Sequence, residues 1–238
     1  MERMISKKTV LYLLLFAFAF LPEALVEAQN FNGVRWNRDR NNSPRQDRDG
    51  SGRTPSTNNA TNNQRRYTFE ITTTSTSSLQ RQEWQYERRS GYQHMQLLFR
   101  IRGSQPNFNR VSIAQCHDDQ TGSEGVFSIY QVRREGGRYV FGVQGDTTEA
   151  DNGYSRFDTR EINLNTWYRL RLRTRINGRN NSFEIADLYR GSNRIWTNTI
   201  RGGGDNEAYY KLGAYRLTNG SGRVEVQFDN IRFWRGSK

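Results

Sequence analysis

Apolar and polar residues alternate one for one along several stretches of the chain. Tyr67, Phe69 and Ile71 alternate with Thr68 and Glu70, and Met95, Leu97, Phe99 and Ile101 alternate with Gln96, Leu98 and Arg100. Tyr168, Leu170, Leu172 and Thr174 alternate with Arg169, Arg171 and Arg173. Val224, Val226 and Phe228 are separated by Glu225 and Gln227, with Ile231 and Phe233 following. A period of two marks strands with one buried face. Turn signals stand between these runs: Gly136-Gly137, Asn177-Gly178, Gly202-Gly203-Gly204 and Asn219-Gly220. No stretch sustains a 3.6-residue apolar stripe. Many short strands joined by Gly and Asn turns predict an all-β fold, a β-sandwich or jelly roll.

The alternation ends upstream of Tyr67. Between Gln29 and Arg66 the chain is crowded with Asn, Arg, Asp, Ser and Gly, a composition that buries too little apolar surface to offset chain entropy. Residues 29–66 are therefore read as an Asn/Arg-rich linker or tail, the alternative being that Phe31, Val34 and Trp36 dock as an edge strand, and residues 67–238 as the folded domain. Before the tail, Lys7 and Lys8 precede an apolar run from Val10 to Leu21, and Val26-Glu27-Ala28 supplies a small-residue cleavage pattern. The run is shorter than the roughly 20 residues that a spanning helix needs. Residues 1–28 are expected to be a secretory signal peptide, which makes the mature protein extracellular or periplasmic, with no membrane segment once it is removed.

Charge narrows the partners. The chain has 36 Lys+Arg against 24 Asp+Glu, a net of +12. Arg3, Lys7 and Lys8 balance Glu2, Glu23 and Glu27 in the leader, so the surplus belongs to the mature protein. Such a surplus steers and holds a polyanion. Arg169, Arg171, Arg173 and Arg175 share one face of one strand, and four unpartnered guanidinium groups cannot be buried, so that face must be wet. An acidic sugar chain would suit a concave face of this kind. Cys116 is the only cysteine, so the domain has no internal disulfide and no Cys-based zinc site.

Candidate chemistry sits at three places. In Gln115-Cys116-His117 the amide and the imidazole are two apart on a strand and project to the same side, with Cys116 turned to the core. Arg81, Glu83 and Gln85 share a face of a second strand, and Tyr209, Lys211, Gly213 and Tyr215 share a face of a third. The chain here resembles the alginate lyases of polysaccharide lyase family seven and related jelly-roll ulvan and glucuronan lyases. Their motifs are Arg-Ser/Thr-Glu-Leu-Arg, Gln-Ile/Val-His and Tyr-Phe-Lys-Ala-Gly-x-Tyr, in that order. This sequence departs from them at Gln85, Cys116, Tyr210 and Leu212, and Arg216 stands where the alginate enzymes often have Asn.

The resemblance implies a concanavalin A-like jelly roll with a concave substrate groove, and β-elimination on a polyuronate. Elimination removes a proton α to a carboxylate, so the developing charge needs donors placed in advance. Arg81 and Gln115 suit that task, neutral His117 suits the base, and Tyr215 can protonate the leaving oxygen. Glu83 would orient Arg81, and Lys211, Gln85, Arg216 and Tyr209 would bind sugar. No cofactor is expected, and Asp118-Asp119 reads as a turn rather than a metal site. Trp84 is a candidate sugar platform, whereas Trp167, Trp196 and Trp234 are expected in the core. The partner is an anionic polysaccharide rather than nucleic acid, and the protein is expected to be a monomer. A non-catalytic glycan-binding module on the same fold is the alternative. A hydrolase fits less well, because no paired carboxyl groups stand out on one strand.

Overall fold

The computed structural model describes residues 31, 33–39, 45–49, 56–59, 65–73, 80–86, 89–103, 108–118, 126–145, 158–178, 182–201, 207–216 and 222–237, a few at strand ends by backbone alone. Every regular element among them is a strand. In chain order they are β1 (Arg35–Asp39), β2 (Arg45–Asp49), β3 (Ser56–Asn59), β4 (Arg65–Thr73), β5 (Gln80–Gln85), β6 (Gly91–Arg102), β7 (Arg110–Asp118) and β8 (Val126–Glu135). There follow β9 (Arg138–Gly145), β10 (Asp158–Ile162), β11 (Tyr168–Ile176), β12 (Phe183–Arg190), β13 (Asn193–Arg201), β14 (Ala208–Arg216) and β15 (Gly222–Ser237). Among the described residues no helix is long and apolar enough to cross a membrane. Residues 1–28, read as a leader, lie outside the described residues.

The strands form two antiparallel sheets, the sandwich that the alternation predicts and the jelly roll that the family resemblance implies. Sheet A runs β13-β12-β11-β6-β15-β4-β3, with β1 also on β15, and sheet B runs β10-β9-β8-β7-β14-β5-β2. Three short strands fall within 29–66: β1 pairs with β15, β2 with β5 and β3 with β4.

The core is made by the apolar half of each alternation. Met95, Leu97, Phe99 and Ile101 of β6 are buried beside Tyr168, Leu170 and Leu172 of β11 and Val224, Val226 and Phe228 of β15. Sheet B supplies Val111, Ala114, Cys116, Tyr130, Val132, Phe141, Tyr210 and Leu212. Removing these side chains from water is the main driving force for closing one sheet on the other. Trp84 belongs here too: its ring meets Tyr67 at 4.4 Å and Phe69 at 5.1 Å, so it packs inward and is no sugar platform. Trp196 is buried edge-on to Phe141 at 5.2 Å. Trp167 and Trp234, by contrast, lie among the arginines and the imidazole of sheet A's outer face, because both precede or follow core positions by one residue.

One carboxyl group interrupts this apolar layer. Glu184 of β12 is fully buried. It accepts hydrogen bonds from Ser128 Oγ and Thr174 Oγ1, each at 2.5 Å, and from the Tyr130 hydroxyl. Thr174 Oγ1 also hydrogen-bonds the Tyr210 hydroxyl, so the cluster ties β11 and β12 of sheet A to β8 and β14 of sheet B. Burial pushes the Glu184 carboxyl above its ordinary range, and the hydroxyl donors oppose that rise.

Candidate active site

Three strands side by side in sheet B carry the chemistry. β14 lies between β7 and β5, and the registers fix which side chains are neighbours. Tyr209 pairs with His117, Lys211 with both Gln115 and Gln85, Gly213 with Glu83, and Tyr215 with both Ser112 and Arg81. Cross-strand partners share a face of the sheet, so these residues form one patch drawn from three separate stretches of sequence. The patch faces away from the core, since Cys116, Tyr210 and Leu212 alternate with it and are buried inside.

Within the patch a relay runs across the strands. The Gln115 side-chain amide donates from Nε2 to Glu83 Oε1 at 2.5 Å, and Gln115 Oε1 lies 3.0 Å from His117 Nε2. An amide oxygen can only accept, so the imidazole must donate from Nε2, and in the neutral ring the lone pair then falls on Nδ1. Glu83 thus sets the orientation of Gln115, and Gln115 sets the tautomer of His117. The arrangement is held in place by burial: Glu83 is 1 % exposed, Gln115 3 % and His117 8 %. The His117 ring stacks on Tyr209 with centroids 5.1 Å apart and planes 13° from parallel, and the buried Lys211 ammonium lies 6.0 Å from the same Tyr209 ring.

Glu83 and Gln115 stand on strands that do not touch, with β14 between them, and Gly213 is the residue of β14 in register with Glu83. A Cβ at position 213 would lie 2.2 Å from the Gln82 carbonyl oxygen and 2.6 Å from Glu83 Cα. Only glycine lets β14 lie this close to β5. The β14–β7 ladder slips between Leu212 and Tyr215, and the β7–β8 ladder slips between Ser112 and Ala114. Such bulges re-aim side chains. Here they bring Ser112 to the face that bears Gln115, in register with Tyr215.

The remaining candidates are placed less fully. Gln85 is half-buried at the end of β5, opposite Lys211, and Tyr215 is half-buried in register with the Arg81 backbone. The side chains of Arg81, Arg216 and Asp118 lie outside the described residues, as does Asp119. Two neighbouring strands add residues that the motifs do not contain. Ile129 of β8 pairs with Gln115 and Gln144 of β9 pairs with Ile129, so both share the patch's face. Gln131 donates to Gln144 at 2.9 Å, and Arg133 donates to Gln131 at 3.2 Å and to Gln144 at 3.3 Å. The sequence signal for this extension is the alternation of Gln131 and Arg133 with Tyr130 and Val132.

Sheet B of this jelly roll thus presents a buried carboxylate–amide–imidazole relay beside a lysine and a tyrosine. The chain belongs to the alginate lyase family, whose pattern it matches over residues 31–234, and it is a polysaccharide lyase. No curated protein sequence matches it. Among solved structures, it resembles an exolytic alginate lyase from Zobellia galactanivorans, with a TM-score of 0.56 and 13 % identity over 80 % of this chain and 90 % of that one. An alginate lyase from Klebsiella pneumoniae gives a TM-score of 0.55 at 11 % identity, covering 74 % of this chain and 83 % of that one. An endo-β-1,4-glucuronan lyase from the fungus Trichoderma reesei gives 0.51 at 13 % identity, covering 85 % and 91 %. At these identities the likeness speaks for the fold, and the family match speaks for the lyase class.

Proposed function

We propose that the enzyme cleaves a 4-linked polyuronate by β-elimination at the patch formed by β5, β7 and β14, with alginate the first candidate and ulvan or glucuronan next. The single observation that carries this reading is the Glu83–Gln115–His117 relay, which prepares an imidazole in a defined tautomer on the sheet face. In the reaction His117 takes the C5 proton, the electron pair forms the C4–C5 double bond, the C4–O4 bond breaks, and Tyr215 protonates O4. Arg81 and the Gln115 amide neutralise the uronate carboxylate as charge builds on it. When His117 gains its proton, the positive charge is stabilised through Gln115 by the Glu83 carboxylate. Glu83 therefore serves as a positioning residue. Tyr209 supports the His117 ring, while Lys211, Gln85 and Arg216 contact the sugar chain.

The same reading assigns residues 1–28 to a cleaved leader and 67–238 to the body of the lyase domain, with the 29–66 segment adding β1, β2 and β3 to its sheets. The mature protein is secreted, works as a monomer and needs no cofactor. The test incubates purified protein with alginate, ulvan, glucuronan and a neutral glucan, following the ultraviolet absorbance of the unsaturated uronate. Product from one polyuronate and none from the glucan is expected, with activity lost in both His117→Ala and Tyr215→Phe. Full activity in either variant would end the assignment.

A further inference from the structure

The arginine ladder does not belong to the catalytic sheet. β11 sits in sheet A, and Arg169, Arg171, Arg173 and Arg175 point away from the core on the side of the sandwich opposite the relay. Their neighbours on that face are aromatic. Arg100 and Arg66 lie over the Trp167 ring at 4.7 and 5.1 Å, Arg169 lies over Tyr189 at 4.3 Å, and Arg175 lies 5.8 Å from the Tyr92 centroid. From the Arg100–Trp167 step to the Arg175–Tyr92 step the ladder advances eight residues along β11, about 26 Å at 3.3 Å per residue. That length matches several linked sugars.

The balance of charge on this face favours an anion even with Glu70, Glu225 and Asp229 on it, since Arg223, Arg102 and Arg66 meet those three carboxylates. Asp187 is fully buried, and Arg171 at 2.7 Å and Arg173 at 3.0 Å converge on its Oδ2, with Arg194 at 3.5 Å from Oδ1. One carboxylate is thus met by three guanidinium groups. Arg169 and Arg175 form no ion pair with a carboxylate among the described residues and rest on tyrosine rings, while Arg100 feels Glu225 nearby and donates to Gln227 at 2.7 Å. A guanidinium stacked on a ring is already oriented and loses little freedom when an oxyanion arrives. The ring edges add flat apolar surface of the kind that sugar faces cover.

We infer that the outer face of sheet A is a second, non-catalytic binding surface for an anionic polysaccharide chain, with Arg100, Arg169 and Arg175 as its anchors and Trp167, Tyr189 and Tyr92 as its platforms. A polymer held there is tethered, so its other segments meet the catalytic face at raised effective concentration. Short fragments, unable to span both faces of the sandwich, gain nothing. The inference takes only the polymer class from the reading above.

Affinity electrophoresis in gels containing long-chain alginate tests it, with full-length His117→Ala as the parent so that the polymer stays intact. The variant Arg100→Gln/Arg169→Gln/Arg175→Gln is compared with a charge-matched control, Arg134→Gln/Arg138→Gln/Arg160→Gln, whose exposed arginines lie on β8, β9 and β10. The ladder variant is expected to lose about tenfold in apparent affinity and the control much less. In otherwise native enzyme the ladder variant should raise KM on the polymer while changing kcat/KM on an alginate trisaccharide by less than about twofold, since distant sites act independently. Thermal melts of both variants check that each is folded, and the single substitution Arg175→Gln, at the end of the ladder, repeats the comparison if the triple is not. Equal losses in ladder and control variants would overturn the inference, as would a ladder variant that loses retention in a duplex-DNA gel and keeps it in alginate. Enzyme that cleaves no polyuronate would overturn the catalytic reading alone, because retention is scored without turnover.

Discussion

On the two outer faces of this sandwich, polar side chains are held in different ways. In sheet B, Glu83, Gln115, His117 and Lys211 are buried, and the first three bond to one another across strands. In sheet A, Arg169 and Arg175 are half-exposed and rest on aromatic rings. The first arrangement fixes geometry before substrate arrives, as proton transfer requires. The second fixes charge and leaves geometry adaptable, as capture of a flexible polymer requires. The difference teaches that charge alone does not locate an active site: the densest line of arginine in the sequence lies on the opposite sheet from the relay.

Substitutions on each side should separate these roles. The largest effect is expected for His117→Ala, which removes the proposed base. Turnover should fall by about 10³-fold with the melting temperature nearly unchanged, as initial rates and a thermal melt would check. Glu83→Gln comes next. It keeps the shape but removes the charge that orients Gln115, and kcat should drop about tenfold to a hundredfold with little change in KM; a KM effect alone would assign Glu83 to sugar binding instead.

Between the faces, Glu184→Ala would strand the Ser128, Tyr130 and Thr174 hydroxyls inside the core. A loss on the order of 3 kcal/mol in chemical unfolding is expected. Because the cluster also holds Tyr210 of β14, a smaller loss of activity should accompany it.

The smallest effect belongs to sheet A and depends on pH. His94 stacks on Trp234 at 4.4 Å and meets Trp36 edge-on at 5.4 Å. Its burial, aided by nearby Arg171 and opposed by Asp187, lowers the imidazole from 6.5 to about 4. Across that interval the unfolded chain binds the proton and the folded chain does not. The stability contribution is therefore complete above pH 6.5 and is lost as the pH falls toward 4. His94→Phe should flatten the decline in melting temperature over that window, leaving turnover at neutral pH unaltered.

Much of the fold was legible because burial on one side imposes a period of two. β4, β6, β11 and β15 could be read directly from residues such as Met95, Leu97, Phe99 and Ile101, and the motifs gathered the strands of the patch. Alternation says which side of a strand is wet but not to which sheet the strand belongs, so the place of the Arg169–Arg175 ladder was hidden. Trp167 and Trp234 were expected inside and lie outside, because a large aromatic ring satisfies either a core or a cation-lined surface. The apolar residues around Trp36 allowed an edge strand, which β1 forms, whereas β2 and β3 were illegible, since their polar residues join sheet edges through backbone hydrogen bonds that composition does not encode. Glu184 escaped notice for a related reason. A lone carboxylate between Phe183 and Ile185 looks solvated until the hydroxyls of three other strands are brought around it.

Gly213 has a consequence for how the enzyme can be retuned. Because β14 and β5 meet there backbone against backbone, the span from the Glu83 carboxylate to the Gln115 amide is gauged by main chain and not by any replaceable group. Positions proposed to contact sugar, such as Gln85, can thus be exchanged in search of a different uronate while that carboxylate-to-amide separation stays constant. An added methyl at position 213 would pry the two strands apart and alter that separation for every substrate at once.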